Sequence, residues 1–436
     1  MPAPLPIFAL SFSLAATCAL AAVAPPTNEQ IDRAVEAYRK QTGGEHTRDN
    51  PRVGELLKDF SIREMSAAHF ERLGILLDLA PLDMRAAFHD HLTRIAHSDK
   101  TEEGAAAAAQ IVRLIELPDE HAPPGAVEEF ESARVGALIA AAEHPGFARA
   151  VQAGRGTIVY SYMFFYATDR RIIERGVVSK LAANVTDRWP EAHIDDLLAF
   201  AEGIIAPEAR VDRATIDRVR AAATTIAQRI IARPETEEQT REGLLAAVGA
   251  INSAAAKGEL VGGRAPALEF LWRSGTDRPG SLADLAGRVV VLDFWATWCG
   301  PCIASFPHLR DLRERFRGAP VEIIGVTSLQ GWILDPKAKD PAARRIRGLS
   351  PEEELRRLAQ WVRDMDMTWT VAVSKQPVFN AEYGVRGLPT VVIIDAAGVV
   401  RHAGLSPDDD QLAARIAALL AEIGASAPPA TDSPAR

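Results

Sequence analysis

Apolar residues recur every three or four positions through most of the first 257 residues, the spacing that places them on one face of a helix. Proline and glycine separate the apolar segments. The clearest predicted helices are 67–79, 84–96, 105–117, 127–142, 194–205, 216–231 and 242–256. The run 158–166 is the most apolar internal segment, and it is too short to span a bilayer, so we expect a central core helix there. The pattern predicts that residues 27–257 form an all-helical domain, and it does not indicate a role for that domain.

The pattern changes after residue 262, where short apolar runs alternate with helical segments. The predicted strands are 268–272, 289–295, 321–326, 369–373, 391–395 and 399–403, and the predicted helices are 303–316, 351–365 and 408–423. Such alternation is typical of an α/β domain with a mixed central sheet flanked by helices. We expect this domain to cover residues 262–424, and the Pro/Ala/Ser-rich tail 425–436 to be disordered.

An irregular insertion, residues 330–347, interrupts this pattern. It carries Trp332 and aliphatic residues among five basic side chains: Lys337, Lys339, Arg344, Arg345 and Arg347. A loop of this length is seldom structureless without a function. The composition suits an edge that contacts an acidic partner, and a solvated insertion without a partner is the alternative.

Composition narrows the range of partners. A chain of 436 residues with 47% hydrophobic content can bury two cores. The 21 basic and 21 acidic residues from Gly263 onward balance, so the net charge of −9 belongs to the first part. Neither part has the basic stripe that binds a phosphate backbone, so the sequence predicts no nucleic-acid partner.

Residues 1–24 form an apolar, small-residue-rich segment that ends at Pro25. This pattern is typical of an export signal, and cleavage after Ala21 fits the small-x-small rule. An uncleaved N-terminal membrane anchor is one alternative, because the segment is near the minimum length of a span. Lipid modification of Cys18 is another. We expect a protein of the periplasm or cell envelope that meets the membrane only through such an anchor.

The candidate chemistry lies at Trp298-Cys299-Gly300-Pro301-Cys302, between a predicted buried strand and a predicted helix. Two cysteines three apart can form a disulfide across one helical turn, and the helix N-terminus favours a thiolate on the first. A C-x-x-C pair is also half of a zinc site, but the only other cysteine is Cys18, and no suitably spaced histidine pair supplies the missing ligands. The sequence therefore predicts reactive thiols, with no metal and no cofactor.

The stretch from Asp293 to Cys302 resembles the active-site segment of the thioredoxin superfamily almost residue for residue. Pro307 lies where thioredoxins carry the proline that kinks this helix. The segment Gly384-Val385-Arg386-Gly387-Leu388-Pro389-Thr390 is similar to the family's cis-proline loop. The resemblance implies a thioredoxin-like fold for residues 262–424, with Leu388 presenting its backbone to an extended peptide.

Within that superfamily, the lead-in Gly263-Arg264-Ala265-Pro266 resembles the exported TlpA/ResA-like proteins. Peroxiredoxin-like antioxidants share this opening. They require Thr or Ser three residues before the reactive cysteine and Pro seven before it, whereas this chain has Ala296 and Leu292. A thiol-disulfide oxidoreductase is the better expectation.

The resemblance and thiol chemistry together imply roles for the individual residues. Cys299, expected to be the exposed thiol, attacks a protein disulfide, and the more buried Cys302 resolves the mixed disulfide. Asp293, in the middle of an apolar strand, is the expected buried acid that exchanges a proton with Cys302. The expected substrate-contacting residues are Trp298, Gly300, Pro301, Leu388 and Pro389. The dipeptide between the cysteines matches the reducing members, and reduction in an oxidising compartment requires a membrane thiol electron donor.

Two alternatives belong to other functional classes. The helical domain could be the working module of an interaction or scaffold protein, with the thioredoxin-like domain regulating it. Alternatively, Cys299 and Cys302 could carry Cu(I), which soft thiolates bind well, although no third soft ligand is near in the sequence.

Overall fold

The computed structural model describes residues 25–42, 49–115, 118, 122–275, 280–335 and 344–425. The chain separates into two compact units, Met1–Ala222 and Ala223–Arg436. This division falls inside one helix, and it groups residues 223–257 with the second unit. The domain limits drawn from the sequence stay a prediction. The expected signal or anchor segment 1–24 lies outside the described residues, as does residue 426 onward.

The amino-terminal region is helical, as its three- and four-residue apolar spacing predicts. Its helices are α1 (Asn28–Thr42), α2 (Pro51–Leu57), α3 (Ala67–Leu73), α4 (Ile75–Leu79), α5 (Leu82–Ser98), α6 (Glu102–Leu114), α7 (Ala126–Ala142), α8 (Phe147–Gln152), α9 (Ile158–Tyr166), α10 (Arg170–Glu174), α11 (Val177–Ala183), α12 (Ile194–Gly203), α13 (Arg213–Ile231) and α14 (Glu238–Ile251). The predicted helix 67–79 is divided in two at Gly74, whose φ of 54° ends α3.

Helix α6 lies at the centre of the first unit. Its alanines from Ala105 to Ala109 are buried, which leaves room for α3, α5, α7 and α8 to approach its backbone closely. A helix that is buried on nearly every side is expected to be rich in small residues, because bulky side chains would hold its neighbours apart.

Helix α9, predicted as a core helix, is buried on one face only. Tyr160 is fully buried and makes edge-to-face contacts with Trp189 and Phe200, whereas Phe165 is 72% exposed. Helix α12 approaches α9 through Gly203, where a Cβ atom would come within 2.4 Å of the Met163 carbonyl oxygen. The helix is present where the sequence predicts it, and one of its faces belongs to the core.

The second unit is built on a mixed six-stranded sheet, which confirms the fold class predicted from the sequence. Its strands are β1 (Phe270–Arg273), β2 (Val289–Phe294), β3 (Val321–Ser328), β6 (Thr370–Ser374), β7 (Thr390–Ile394) and β8 (Val400–Leu405). They lie in the order β1-β6-β3-β2-β7-β8. Strand β2 pairs parallel with β3 and antiparallel with β7, so it occupies the middle of the sheet.

Side chains alternate between the two faces of this sheet and supply two separate apolar clusters. Val289, Val291 and Trp295 point to one face, which is covered by α15 (Gly300–Ala304), α16 (Phe306–Arg315), α17 (Pro351–Asp364) and α18 (Leu412–Glu422). Val290, Leu292 and Phe294 point to the other face, which irregular segments around Leu268 and Tyr383 cover. All six residues of β2 are consequently buried.

The insertion that the sequence predicted to be irregular contains a small sheet. Strands β4 (Trp332–Leu334) and β5 (Arg345–Arg347) pair antiparallel, and Ile333 lies opposite Ile346. The basic residues Lys337 and Lys339 lie in the stretch 336–343, which is outside the described residues. Throughout the described ranges, each helix is too short or too polar to cross a membrane.

Candidate active site

The cysteine pair lies directly beyond the carboxyl end of β2. Cys299 is the N-cap residue of α15, with an extended backbone (φ −82°, ψ 96°), and Cys302 lies in the first turn. The two residues form a disulfide with a Cα–Cα distance of 5.2 Å. The Cys302 backbone N–H donates a hydrogen bond to the Cys299 Sγ over 3.2 Å. A donor aimed at this sulfur favours the thiolate form of Cys299 once the disulfide is reduced.

The helix that follows is interrupted, as the proline predicts. Helix α15 ends at Ala304 and α16 begins at Phe306, with Pro307 in its first turn. Because proline has no N–H group, it cannot donate to a carbonyl in the preceding turn. The Ser305 backbone N–H and hydroxyl both donate to the Cys302 carbonyl oxygen, over 3.2 and 2.8 Å. The cysteines therefore lie at the start of a separate short helix, α15, which has its own terminal hydrogen bonds.

The prediction that Cys299 is exposed is wrong for the disulfide form of the protein. Cys299 is 4% exposed and Cys302 is 1% exposed, so both are buried and only their order agrees with the expectation. The physical reason is tertiary packing: both sulfurs belong to the apolar cluster on this sheet face, and Trp298, Ile303 and Leu388 pack against that cluster. Cys299 can be approached from solvent only where these partly buried side chains leave access.

Asp293 is a buried carboxyl group on the same sheet face as the cysteines. It alternates with Val291 and Trp295, whose side chains share an apolar cluster with Cys299 and Cys302. Its side chain is 1% exposed, and its Oδ1 atom has no hydrogen-bond partner among the described residues. Burial raises the pKa of Asp293 to about 7, because the apolar surroundings disfavour the charged form. At neutral pH this group can both accept and release a proton.

The loop before β7 brings Leu388 and Pro389 to the same end of the sheet. The peptide bond between them is cis, as expected from the sequence. Thr390 pairs with Phe294, the last residue of β2, so the loop lies beside the strand that leads into the cysteine pair. Leu388 is partly buried and contacts the apolar clusters on both sheet faces.

The indole ring of Trp298, the residue before Cys299, lies in a stack of three aromatic rings. Its centroid is 6.3 Å from that of Trp332 and 6.2 Å from that of Phe379, with interplanar angles of 19° and 29°. Its Nε1–H donates to the Gln330 Oε1 atom over 2.6 Å. The inserted segment therefore holds Trp298 directly. Gly300 and Pro301, between the cysteines, are exposed and available for contact.

Several residues at this site were not found from the sequence. Glu354 was interpreted as part of a helix start, and Ser350 does cap α17. However, Glu354 is buried, and its carboxylate accepts the backbone N–H groups of Gln330 and Gly331 over 2.8 Å each. This contact joins α17 to the inserted segment. Phe379 and Gln330 gave no signal in the sequence, because only the fold brings them to Trp298.

Comparisons with known proteins agree with this geometry. The Redoxin family model matches residues 260–420. The chain is 27% identical over 138 residues to the thioredoxin-like protein YneN of Bacillus subtilis, a match that covers 31% of this chain and 68% of YneN. It is 31% identical over 119 residues to the thiol-disulfide oxidoreductase ResA of Bacillus thuringiensis, covering 27% of this chain and 56% of ResA. The chain thus spans about half the length of such ResA relatives.

A solved structure, that of a thiol-disulfide isomerase from Corynebacterium glutamicum, aligns with 36% of this chain and 96% of its own, at 20% identity and a TM-score of 0.27. The sheet, the helix break and the cysteine pair define the carboxy-terminal part as a thioredoxin-type domain. The family match over residues 260–420 and the relatives show that this part is similar to the TlpA/ResA-like members of the thioredoxin superfamily.

We expect Asp293→Asn to stabilise the protein above pH 4. Between pH 3.8 and about 7 the unfolded carboxyl loses its proton while the folded one keeps it, so stability falls as pH rises through this window. The penalty above pH 7 is on the order of 4 kcal/mol at most, from a pKa of about 7 against 3.8. Thermal unfolding between pH 4 and 8 should therefore show a higher Tm and a flatter pH dependence in the variant.

Asp311→Asn, a change on the exposed face of α16, is the matched control and should leave the pH dependence as it is in the parent. Equal pH dependence in the parent and in Asp293→Asn would contradict a raised pKa at Asp293.

Proposed function

We propose that the chain is a thiol-disulfide oxidoreductase that reduces protein disulfides through Cys299 and Cys302. The observation that carries this proposal is the disulfide at the start of α15, with Cys299 Sγ accepting the Cys302 N–H. Relatives of the carboxy-terminal part bear the name thiol-disulfide oxidoreductase, which supports the same chemistry. We infer that the protein is exported and works in the periplasm or cell envelope.

In the forward reaction, the reduced enzyme transfers two electrons to its substrate. The Cys299 thiolate attacks one sulfur of the substrate disulfide, forming a mixed disulfide and releasing a substrate thiolate. Cys302 then loses its proton and attacks Cys299 Sγ, which re-forms the intramolecular disulfide and releases the second substrate thiolate. Cys299 is the attacking residue because it is the less buried of the two and accepts a stabilising N–H.

Asp293 is the proposed acceptor of the Cys302 proton. A carboxylate with a pKa of about 7 is a matched base at neutral pH, since a large fraction is ionised and the ionised form still binds a proton well. Its place on the cysteine-bearing face of β2 suits this role. Trp298, Gly300, Pro301, Leu388 and Pro389 form the proposed contact surface for the substrate segment, and a membrane thiol donor returns the enzyme to its dithiol form.

Removal of the resolving thiol should trap substrates. In Cys302→Ala, the mixed disulfide on Cys299 has no intramolecular nucleophile, so covalent adducts should accumulate in the cell envelope. Non-reducing electrophoresis followed by mass spectrometry identifies them. Cys299→Ala is the matched control and should accumulate few adducts. Adducts of equal abundance in both variants would contradict the assigned order of attack. Their recovery from the cytoplasm alone would contradict the proposed location.

Asp293→Asn should slow resolution of the mixed disulfide by about a hundredfold at pH 7.5, the lower end of what general acid–base groups contribute. In the parent, the resolution rate should rise as pH passes through about 7, where Asp293 becomes ionised. In the variant this rise should be missing, and the rate should increase only at higher pH as Cys302 itself ionises. Single-turnover reduction of a mixed disulfide on Cys299 measures both rates. Superimposable pH profiles would show that Asp293 has no part in the proton transfer.

A further inference from the structure

The rim of the cysteine site carries aromatic and basic groups that the proposed chemistry does not use. Trp332 and Phe379 each stack on the Trp298 ring, and Phe379 is 47% exposed. About half of the apolar Phe379 ring is still in contact with water, close to the disulfide. Covering it with a partner's side chain would therefore be favourable.

The small sheet β4–β5 has one face turned inward and one turned outward. Ile333 is 4% exposed and belongs to the apolar cluster below, and Ile346 packs against the same cluster. By alternation, Trp332, Arg345 and Arg347 share the opposite face, and both arginines are exposed. The Arg345 guanidinium lies 4.6 Å from the Trp332 ring centroid, a cation–π distance that holds the charge over the aromatic stack.

This outer face is positively charged. Within the described ranges, neither Arg345 nor Arg347 forms an ion pair. The carboxylate of Glu354 is buried and bonded to backbone N–H groups, so it does not offset these charges at the surface. Asp335 lines the groove between the small sheet and α17, together with Ile333 and Ile346. An acidic side chain of a partner would find here two guanidinium groups that form an ion pair with none of the described carboxylates.

We propose that Trp332, Phe379, Arg345 and Arg347 form an aromatic–arginine platform that selects the substrate. Its occupant is an extended polypeptide segment whose disulfide-bonded cysteine is flanked by acidic and aromatic side chains. Charge complementarity assigns the acidic residues to the two arginines, and the stack beside Trp298 assigns the aromatic residue to Phe379 and Trp332. The platform rests on the proposed reductase function and names the substrate class for it.

The test compares reduction of three disulfides by the full reduced chain: a small neutral aromatic disulfide, and two peptides that carry one disulfide each. The peptides share a phenylalanine beside the cysteine and differ only in acidic or basic flanking residues. The parent should have a higher kcat/KM for the acidic peptide than for the basic peptide. Arg345→Gln/Arg347→Gln should lower that value by about three- to tenfold at low salt, the range expected for exposed charge pairs, and leave the small disulfide unaffected. Added salt should reduce the difference.

A second variant tests the aromatic half of the platform without changing charge. Phe379→Ser should lower kcat/KM for the acidic peptide, and the loss should shrink when alanine replaces the peptide's phenylalanine. Arg313→Gln/Arg315→Gln is the control for charge, since these exposed arginines lie on α16 and one of them also contacts an aromatic ring, that of Phe316. The control should match the parent with every substrate.

Each contrary result has a distinct meaning. The platform would be overturned if the arginine variant and the parent reduced the acidic peptide at equal rates, or if the variant lost equal activity on both peptides. Reduction of the small disulfide by the same proteins would still support the proposed function. Failure of the parent to reduce any of the three disulfides would overturn both.

Discussion

The central position of β2 is the constraint on which the site depends. Because β3 and β7 pair with its two edges and apolar clusters cover its two faces, every side chain of β2 is removed from water. This burial has two consequences. It places an ionisable group, Asp293, where the charged form is disfavoured. It also fixes the end of the strand from which the chain continues to Cys299. The acid and the disulfide are thereby fixed to the same sheet face by one element.

The site is also held from outside the strand. Thr297 accepts a hydrogen bond from the Leu334 backbone N–H over 3.2 Å, and Trp298 donates to Gln330. Both partners belong to the inserted segment, which Glu354 joins to α17. Access to Cys299 and the position of the small sheet are therefore physically connected. A polypeptide bound at the proposed platform would contact the same segment that orients Trp298.

The sequence was sufficient where a local pattern determines the structure. The run 289–295 was predicted as a buried strand and forms β2 over Val289–Phe294, a single carboxylate inside it was conspicuous, and Pro307 indicated the helix break. What the sequence could not provide depends on distant residues. The burial of Cys299 follows from packing that includes Leu388, and the ring stack unites Trp298, Trp332 and Phe379 from three separate segments. Strands of three residues such as β4 and β5 show too little alternation to be distinguished from a loop.

The most direct test of the account follows both reactants through one turnover. The reduced full chain is mixed with an equimolar protein disulfide, quenched with acid and alkylating reagent, and analysed by mass spectrometry. The account predicts that, for each substrate disulfide reduced, one chain acquires the Cys299–Cys302 disulfide, with a transient adduct on Cys299 alone. Substrate reduction without this intramolecular disulfide, or no electron transfer while both thiols are free, would contradict it.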